Sequence, residues 1–515
     1  MVRQNPHIKQ QLTDWYLKRV PFPSVSYVTY SSEDPLINGS VFAQFLREHE
    51  LLQIRHELLA EGFPQGVKRW NWIWAKKNMG KSLGMGKTAL MAYICDQINK
   101  DFGESFFGHG ANWLALFVPV QPGTKTIDDV AAFAPSSLCN ESRGFSVEQR
   151  LLARLRHRVV VQNQSGRYPA NLASIVWHRF LSDGWLAERG IARQALDTDV
   201  EQLLRSSRVS APVAKAISSG ALRDYLASLN GNPHLIPVNH GLHTRALGIL
   251  LNDIACAAEA ATIAKVTIFL DDFYFVVRAL PPAGRGPEAA KIRKVAVDGP
   301  YEAARKGVFN WIAVMHTQTA HTFQGAWHDA GMDTHAPLKW ESGASVVLRG
   351  FTLEQGGMLL REYLRSKFSR LPHAPSDLYP FTESALDAIA IATSQKDASL
   401  SDQSIVPRGL MDTAYDVFSR ALREQVHAPI GAEFIAYVID GTPLPPSPSE
   451  DDEMEEADTE EPQPSMACPC GCHDDGTGDV FDVMAVISGS GNARKAVRHV
   501  CQNCNEAIVV ESRTS

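Results

Sequence analysis

Short apolar runs alternate with longer amphipathic segments along this chain. The runs are rich in β-branched, aromatic and other apolar residues and cover residues 70–75, 113–120, 266–270, 311–315 and 345–351. After the first run, Leu90, Met91, Ile94 and Ile98 recur at the spacing of one helix face. Strands that alternate with helices in this way predict an α/β fold built on a parallel sheet.

With 515 residues, the chain is too long for one compact core and is expected to form several domains. We predict a helical N-terminal region (1–65), a strand-bearing core (66–351) with a polar helical insertion (about 126–239), a helical region (352–440), an acidic linker (441–466) and a cysteine-bearing module (467–515). The linker is rich in proline, serine and acids, which predicts disorder.

Charge is distributed unevenly along the chain. The net charge is −7, but residues 450–461 contain nine acids and no basic residue, so the remainder is mildly basic. Such a surface permits contact with nucleic acid without requiring it. The N-terminus lacks the apolar core of a signal peptide, and charges interrupt the apolar region 246–270. We therefore expect a cytoplasmic protein with no membrane span.

The segment Gly84-Met85-Gly86-Lys87-Thr88-Ala89 lies between the first strand and its helix. Strand, glycine turn, Lys-Thr and helix in this order predict a phosphate-binding loop for a nucleoside triphosphate such as ATP. The backbone N–H groups of the turn and the helix N-terminus would face the phosphates, and Lys87 would reach the β- and γ-phosphates. The Thr88 hydroxyl would bind Mg²⁺.

The loop departs from the full motif at one position, where Lys81 replaces the expected glycine and Gly80 lies one residue too early. The alternative interpretation is an ordinary glycine turn that caps a helix. That alternative leaves Lys76, Lys77, Lys81 and Lys87 crowded around one loop with no anion to offset their repulsion. Nucleotide binding is the better prediction.

Two acids, Asp271 and Asp272, end the third strand-like run. Asp271 is the candidate carboxylate for Mg²⁺. Asp272 is the candidate catalytic residue of the pair and would orient the attacking water. The alternative is a strand that ends in a solvated turn. Aspartate is less common than glutamate at the second position and has a shorter reach.

These features resemble the AAA+ ATPases, in particular the branch of the origin-recognition proteins and the related STAND signalling group. The resemblance covers about residues 40–440 and implies a P-loop core followed by a helical lid. It implies that a polar residue after the fourth strand contacts the γ-phosphate, with Thr317 preferred and His316 as the alternative. The sequence Val406-Pro407-Arg408-Gly409-Leu410 resembles the lid signature of the family, which implies a second γ-phosphate contact by Arg408.

The chain between Thr88 and Asp271 is longer than a compact AAA+ core needs, which implies the helical insertion near 126–239. Inserts of this size resemble those of specialised prokaryotic AAA+ ATPases, including members of mobile-element and anti-phage defence systems. Candidates for the arginine finger of the family are Arg293, Arg305 and Arg349. Each of them is also compatible with a surface or packing role.

Two cysteine clusters lie about thirty residues apart near the C-terminus. Cys501 and Cys504 form a C-x-x-C knuckle, whose short turn directs both sulfurs at one ion. The other two ligands would be Cys468 with Cys472, or Cys470 with His473. With strands predicted at 480–487, 496–500 and 507–510, the module resembles a zinc ribbon with a structural Zn²⁺. The alternative, a redox dithiol, fits the separation of the clusters poorly.

Three functions fit these observations. The first is a cytoplasmic ATPase that assembles into homo-oligomers and remodels or loads onto nucleic acid, with DNA as the candidate partner. The second is a STAND-like switch that recruits a protein effector through the zinc ribbon, where six acids outweigh four basic residues. The third is a scaffold with a degenerate nucleotide site, suggested by Lys81.

Overall fold

A computed structural model describes most of the chain. The described residues are 6–25, 28–30, 32–59, 69–75, 84–108, 111–120, 124, 126–127, 137–139, 146–163, 166–231, 243–298, 308–340, 342–396, 404–442, 480–487, 493–500 and 507–512. The chain divides into two compact units. The larger unit comprises Val25–Glu362 and Thr393–Met411, and the smaller unit comprises Met1–Ser24, Tyr363–Ala392 and Asp412–Ser515.

The larger unit is built on a five-stranded, all-parallel sheet. Its strands are β1 (Arg69–Ala75), β2 (Trp113–Pro119), β3 (Lys265–Asp271), β4 (Phe309–Val314) and β5 (Ser345–Leu348). Their spatial order is β2-β3-β4-β1-β5. The five predicted strands and the α/β class are therefore confirmed. The last run differs at its end, since β5 stops at Leu348 and Phe351 instead forms an antiparallel bridge with Ile405.

Both faces of the sheet are buried, which explains why β1 is almost continuously apolar. Trp70 and Trp72 share one face because side chains alternate along a strand. On that face, Trp70 stacks on Trp311 of β4 with ring centroids 5.6 Å apart, and Trp327 packs on Trp70 and Trp72. Ile73 belongs to a separate apolar cluster together with the helix that follows the glycine loop.

Helices connect and cover the strands. In chain order they are α1 (Pro6–Asp14), α2 (Glu48–Gln53), α3 (Lys87–Asp101), α4 (Glu104–Phe107), α5 (Val147–Gln162), α6 (Asp183–Glu188), α7 (Arg193–Ser206), α8 (Ala211–Ser219), α9 (Leu222–Gly231), α10 (His243–Ala260), α11 (Tyr274–Ala279), α12 (Pro282–Arg293), α13 (Thr317–Asp329), α14 (Leu353–Arg365), α15 (Glu383–Lys396), α16 (Pro407–Arg423) and α17 (Ala432–Asp440). Shorter 3₁₀ or π turns cover Gln44–Arg47, Ile54–Leu58, Ala170–Ser174, Trp177–Leu181 and Lys294–Asp298.

The predicted insertion contains helices α5 to α9 among its described residues, and α5 is fixed to the core. A capping box starts α5, in which the Ser146 hydroxyl accepts the N–H of Gln149 and the Gln149 side chain accepts the N–H of Ser146. Along α5, Arg154 donates to the Asn112 side chain at 3.0 Å and Arg158 donates to the carbonyl oxygen of Ala260 at 2.7 Å. These bonds tie the insertion to the edge of the sheet that carries β2.

The smaller unit combines α1 with helices from the second half of the chain. Trp15 packs edge-on against Phe418 with ring centroids 5.4 Å apart. A separate antiparallel sheet, of order β6-β7-β8, is formed by β6 (Val480–Ile487), β7 (Ala493–Val500) and β8 (Ala507–Ser512). The three strands predicted near the C-terminus are confirmed, and β7 begins three residues earlier than predicted. Residues 443–479, with most of the predicted linker, lie outside the described residues.

Candidate functional site

Residues suited to phosphate chemistry gather at the carboxyl edge of the parallel sheet. β1 leads into the glycine loop, β3 ends at Asp271, and β4 ends two residues before His316. The connections that leave the neighbouring parallel strands β1 and β4 run to opposite sides. After β1 the chain passes to β2 at one edge of the sheet, and after β4 it passes to β5 at the other edge. In open α/β sheets, ligands bind in the crevice at such a point.

The described part of the glycine loop has a left-handed backbone at two positions. Gly84 and Gly86 both have φ of +84°, a conformation that L side chains rarely adopt. A Cβ on Gly84 would also overlap the Cβ of Arg408, whereas a Cβ on Gly86 would meet nothing within 4 Å. The N-cap residue of α3 is Gly86, which has no side chain that could cap the first N–H groups of the helix. Residues 76–83, including Lys81, lie outside the described residues.

Lys87 supplies a buried positive charge at the start of α3, with 6% of its surface exposed. Burial lowers the pKa of its ammonium group to about 8, Asp272 and Asp271 raise it, and Arg408 lowers it further. Lys87 therefore faces two carboxylates and one guanidinium at the same place.

Asp271 and Thr88 are hydrogen-bonded to each other. The Asp271 carboxyl is buried at the end of β3 and accepts hydrogen bonds from the Thr88 hydroxyl and, at 3.1 Å, from the N–H of Asp272. Burial and then the charge of Asp272 raise the pKa of Asp271 to about 7, against the lowering effects of Thr88 and Lys87. The two oxygen ligands that the sequence predicts for Mg²⁺ therefore lie within hydrogen-bond distance of each other.

Asp272 has a left-handed backbone, with φ of +52°. A residue other than glycine in this conformation costs about 1–3 kcal/mol and persists where its surroundings impose it. The next residue, Phe273, packs against Trp70 with ring centroids 5.3 Å apart, which anchors the turn in the core. Burial raises the pKa of the Asp272 carboxyl, whereas Lys87 and Arg408 lower it. Asp272 therefore faces both Lys87 and Arg408.

Beyond β4, His316 lies close enough to Lys87 to be affected by its charge. Burial and then the charge of Lys87 lower the pKa of His316 to about 3, so its imidazole is neutral at physiological pH. Its ring meets Tyr274 edge-on, with ring centroids 4.1 Å apart. Thr317 is half-buried and begins α13. The roles of Thr317 and of His316 at the γ-phosphate both stay predictions.

Arg408 reaches the site from the first turn of α16. Its N–H donates to the carbonyl oxygen of Gly84 at 3.2 Å. Its charge affects the pKa values of Lys87, Asp272 and Tyr274. The structure therefore brings the lid-signature arginine to the glycine loop.

Two further residues of the site were not predicted. Tyr274 follows the acid pair, and burial together with Asp272 raises the pKa of its phenol to about 12. Arg47 donates to the carbonyl oxygen of Met85 in the loop. Tyr274 lies shortly after the acid pair, which is a weak signal in the sequence. Arg47 and Met85 are separated by 38 positions in the sequence, so no local pattern could reveal their contact.

The arginine-finger candidates and the zinc ligands are not placed at this site by the described residues. Arg293 donates to the carbonyl oxygen of Ala330 at 2.7 Å, Arg349 is exposed after β5, and Arg305 lies outside the described residues. The six candidate zinc ligands also lie outside them: Cys468, Cys470, Cys472, His473, Cys501 and Cys504. The described cysteines, Cys95, Cys139 and Cys256, are buried free thiols.

Within the part of the chain that the structure describes, no helix has the length and apolar character needed to cross a bilayer. No family model, curated protein or solved structure matches the chain. Its functional residues are therefore interpreted from their own geometry.

Proposed function

We propose that this protein is an ATPase that binds Mg²⁺ and ATP at the carboxyl edge of its parallel sheet. The observation that carries the proposal is the convergence of four distant segments at one edge of the sheet: the loop 84–88, the acid pair Asp271-Asp272, His316 after β4, and Arg408. A glycine turn that merely caps a helix accounts for the loop alone. It does not account for a buried lysine that faces two carboxylates, a histidine and an arginine.

The loop would hold the triphosphate through backbone N–H groups and the N-terminus of α3, with Lys87 on the β- and γ-phosphates. Thr88 and Asp271 would hold Mg²⁺, and their oxygen donors suit this hard cation. When bound, Mg²⁺ supplies positive charge that neutralises the β- and γ-phosphate oxygens. The hydrogen bond between Thr88 and Asp271 keeps these two oxygens together before the ion enters.

Hydrolysis requires a water to attack the γ-phosphorus while the bond from that phosphorus to the bridging oxygen breaks, which releases ADP and phosphate. Asp272 would orient this water and accept its proton. His316, neutral and next to Lys87, would donate an N–H to the γ-phosphate, with Thr317 as the alternative donor. Arg408 would stabilise the negative charge that develops on the transferred group.

The wider assignment rests on the resemblance to AAA+ ATPases. The strand order, with the loop after β1 and the acids after β3, is compatible with it. We propose assembly into homo-oligomers that act on nucleic acid, and a C-terminal zinc ribbon whose knuckle starts at Cys501, directly after β7. The buried free thiols agree with a reducing compartment, which we propose is the cytoplasm.

A STAND-like signalling switch is the second candidate function. Asp272 favours it, because this short carboxylate has a left-handed backbone and faces Lys87 and Arg408 before any nucleotide enters. A carboxylate held by Lys87 and Arg408 is less available to orient a water, so turnover would be slow and ATP would mainly control assembly. In this case the ribbon would recruit a protein effector.

ATP hydrolysis by the wild type and by Lys87→Ala, with and without single- and double-stranded DNA, separates these functions. Turnover that requires Lys87 and rises with DNA supports a motor or loader on nucleic acid. Turnover that requires Lys87 but is slow and indifferent to DNA favours the switch. An equal rate in both proteins would contradict an ATPase at this site.

A further inference from the structure

Arg47 connects the N-terminal part of the larger unit to the glycine loop. Its side chain is buried, with 4% of the residue exposed. Nη2 donates to the carbonyl oxygen of Met85 at 3.0 Å, and Nη1 donates to the carbonyl oxygen of Arg349 at 2.8 Å and to the Glu50 carboxylate at 3.0 Å. The guanidinium carbon lies 4.3 Å from the centroid of the Phe351 ring. Four separate contacts therefore fix the guanidinium in one orientation.

Two successive peptide groups of the loop are consequently held by their carbonyl oxygens. The carbonyl of Gly84 accepts the N–H of Arg408, and the carbonyl of Met85 accepts Arg47. In a trans peptide, the C=O of one residue and the N–H of the next point in opposite directions. The N–H groups of Met85 and Gly86 therefore point away from the two donors. Consecutive N–H groups that point to the same side form an anion-binding concavity.

We propose that Arg47 is a positioning residue that holds the loop in its phosphate-binding conformation before nucleotide arrives. The inference rests on the proposed function of the loop as a nucleotide site. A loop with two glycines has much conformational entropy to lose, and holding it in advance raises affinity for the ligand. Lysine cannot replace arginine here, because only a planar fork can serve two carbonyls and a carboxylate while it stacks on an aromatic ring.

The competing explanation is that Arg47 only packs the N-terminal segment against the core. Arg47→Lys distinguishes the two, with Phe42→Leu as the matched control. Phe42 stacks on Tyr93 of α3 with ring centroids 4.6 Å apart, so its truncation loosens the same segment without removing a hydrogen bond to the Met85 carbonyl, which a phenyl ring cannot donate. The readouts are amide hydrogen exchange at residues 84–88 in the nucleotide-free protein and the Kd values for ATP and ADP by calorimetry.

For Arg47→Lys we expect loop amides that exchange about tenfold faster and Kd values for both ATP and ADP that rise about tenfold, as the loss of a charged hydrogen bond predicts. Both nucleotides are affected because the loop holds phosphates that they share. Phe42→Leu lowers the melting temperature but leaves the exchange at 84–88 and both Kd values unchanged. Loop exchange and Kd values within twofold of wild type in Arg47→Lys would overturn the inference.

The outcomes separate this inference from the proposed function. If the wild type binds no ATP, the proposed function fails, and hydrogen exchange in the free protein still decides whether Arg47 holds the loop. If Arg47→Lys does not fold, Phe351→Leu removes the ring beneath the guanidinium and should raise both Kd values about threefold, since a cation–π contact contributes about 0.5–1 kcal/mol or more. Unchanged exchange and affinity in Phe351→Leu would then overturn the inference.

Discussion

The N–H of Arg408 donates a hydrogen bond to the carbonyl oxygen of Gly84, with 3.2 Å between nitrogen and oxygen. The contact brings the first turn of α16 so close to the glycine loop that a Cβ on Gly84 would overlap the Cβ of Arg408. Arg408 therefore has two roles at one place: its backbone holds the loop and its guanidinium faces Lys87 and Asp272. This relationship explains why position 84 requires glycine.

Gly84→Ala should weaken ATP binding about tenfold or more, because the new methyl group both strains a backbone with φ of +84° and separates the loop from Arg408. The matched control is Gly190→Ala in the insertion, where φ is +68° and a Cβ would meet nothing within 4 Å. The control should lose about 1–2 kcal/mol of stability and bind ATP normally. Equal ATP affinity in the two variants, measured by calorimetry, would contradict the role of this contact.

Asp272→Asn should bind ATP with an affinity near that of wild type but hydrolyse it about 100-fold or more slowly, as expected for loss of a general base. Asparagine is a suitable replacement because it tolerates a left-handed backbone, so the φ of +52° adds little strain. Single-turnover hydrolysis measures the chemical step directly. The matched control is Asp298→Asn, which alters a half-exposed acid paired with Arg293. Normal turnover in Asp272→Asn would remove this acid from the mechanism.

His316 should make stability depend on pH. Its pKa is about 3 in the folded protein and about 6.5 in the unfolded chain, so the unfolded state binds the proton first as the pH falls. Stability is therefore lost as the pH falls from about 6.5 towards 3. Between pH 8 and pH 5, His316 should lower the free energy of unfolding by about 2 kcal/mol, a loss that His316→Asn avoids. Urea denaturation at both pH values tests this, and the same loss in both proteins would show that His316 is not buried as described.

The C-terminal module should hold one Zn²⁺ per chain, measured by elemental analysis of the purified protein. Cys501→Ser should lose the metal because a tetrahedral structural site requires all four ligands. Cys95→Ser, which changes a buried free thiol, should retain it. Full zinc in Cys470→Ser would select Cys468 and Cys472 as the other ligands. Full zinc in Cys501→Ser would contradict the ribbon.

Local patterns in the sequence were sufficient for the strands and for the main site residues. Apolar runs that end in Asp271 and before His316 predict where strands stop, and parallel strands bring their carboxyl ends to one edge. Gly84, Gly86 and Lys87 are detectable as a motif because they lie within four consecutive positions of the sequence. These residues are the part of the site that sequence reasoning placed correctly at the sheet edge.

Contacts between residues that lie far apart in the sequence could not be predicted from local patterns. Arg47 looks like any polar residue in a helical stretch, and its contacts with Met85 and Arg349 depend on the complete fold. The choice between Thr317 and His316 stays open from the sequence, because a pattern does not show which of two adjacent side chains faces Lys87. The left-handed backbone of Asp272 has no signal in the sequence, since it depends on how the surrounding turn packs in the complete fold.

The most direct test of the account is equilibrium binding of ATP in the presence of Mg²⁺ to the wild type and to Lys87→Ala. The matched control is Lys215→Ala, at an exposed position in the insertion. We predict saturable binding by the wild type and the control, and a Kd at least about thirtyfold higher for Lys87→Ala, as expected when one partner of a buried charge pair is removed. No binding by the folded wild type, or equal affinity in all three proteins, would contradict a nucleotide site at this edge of the sheet.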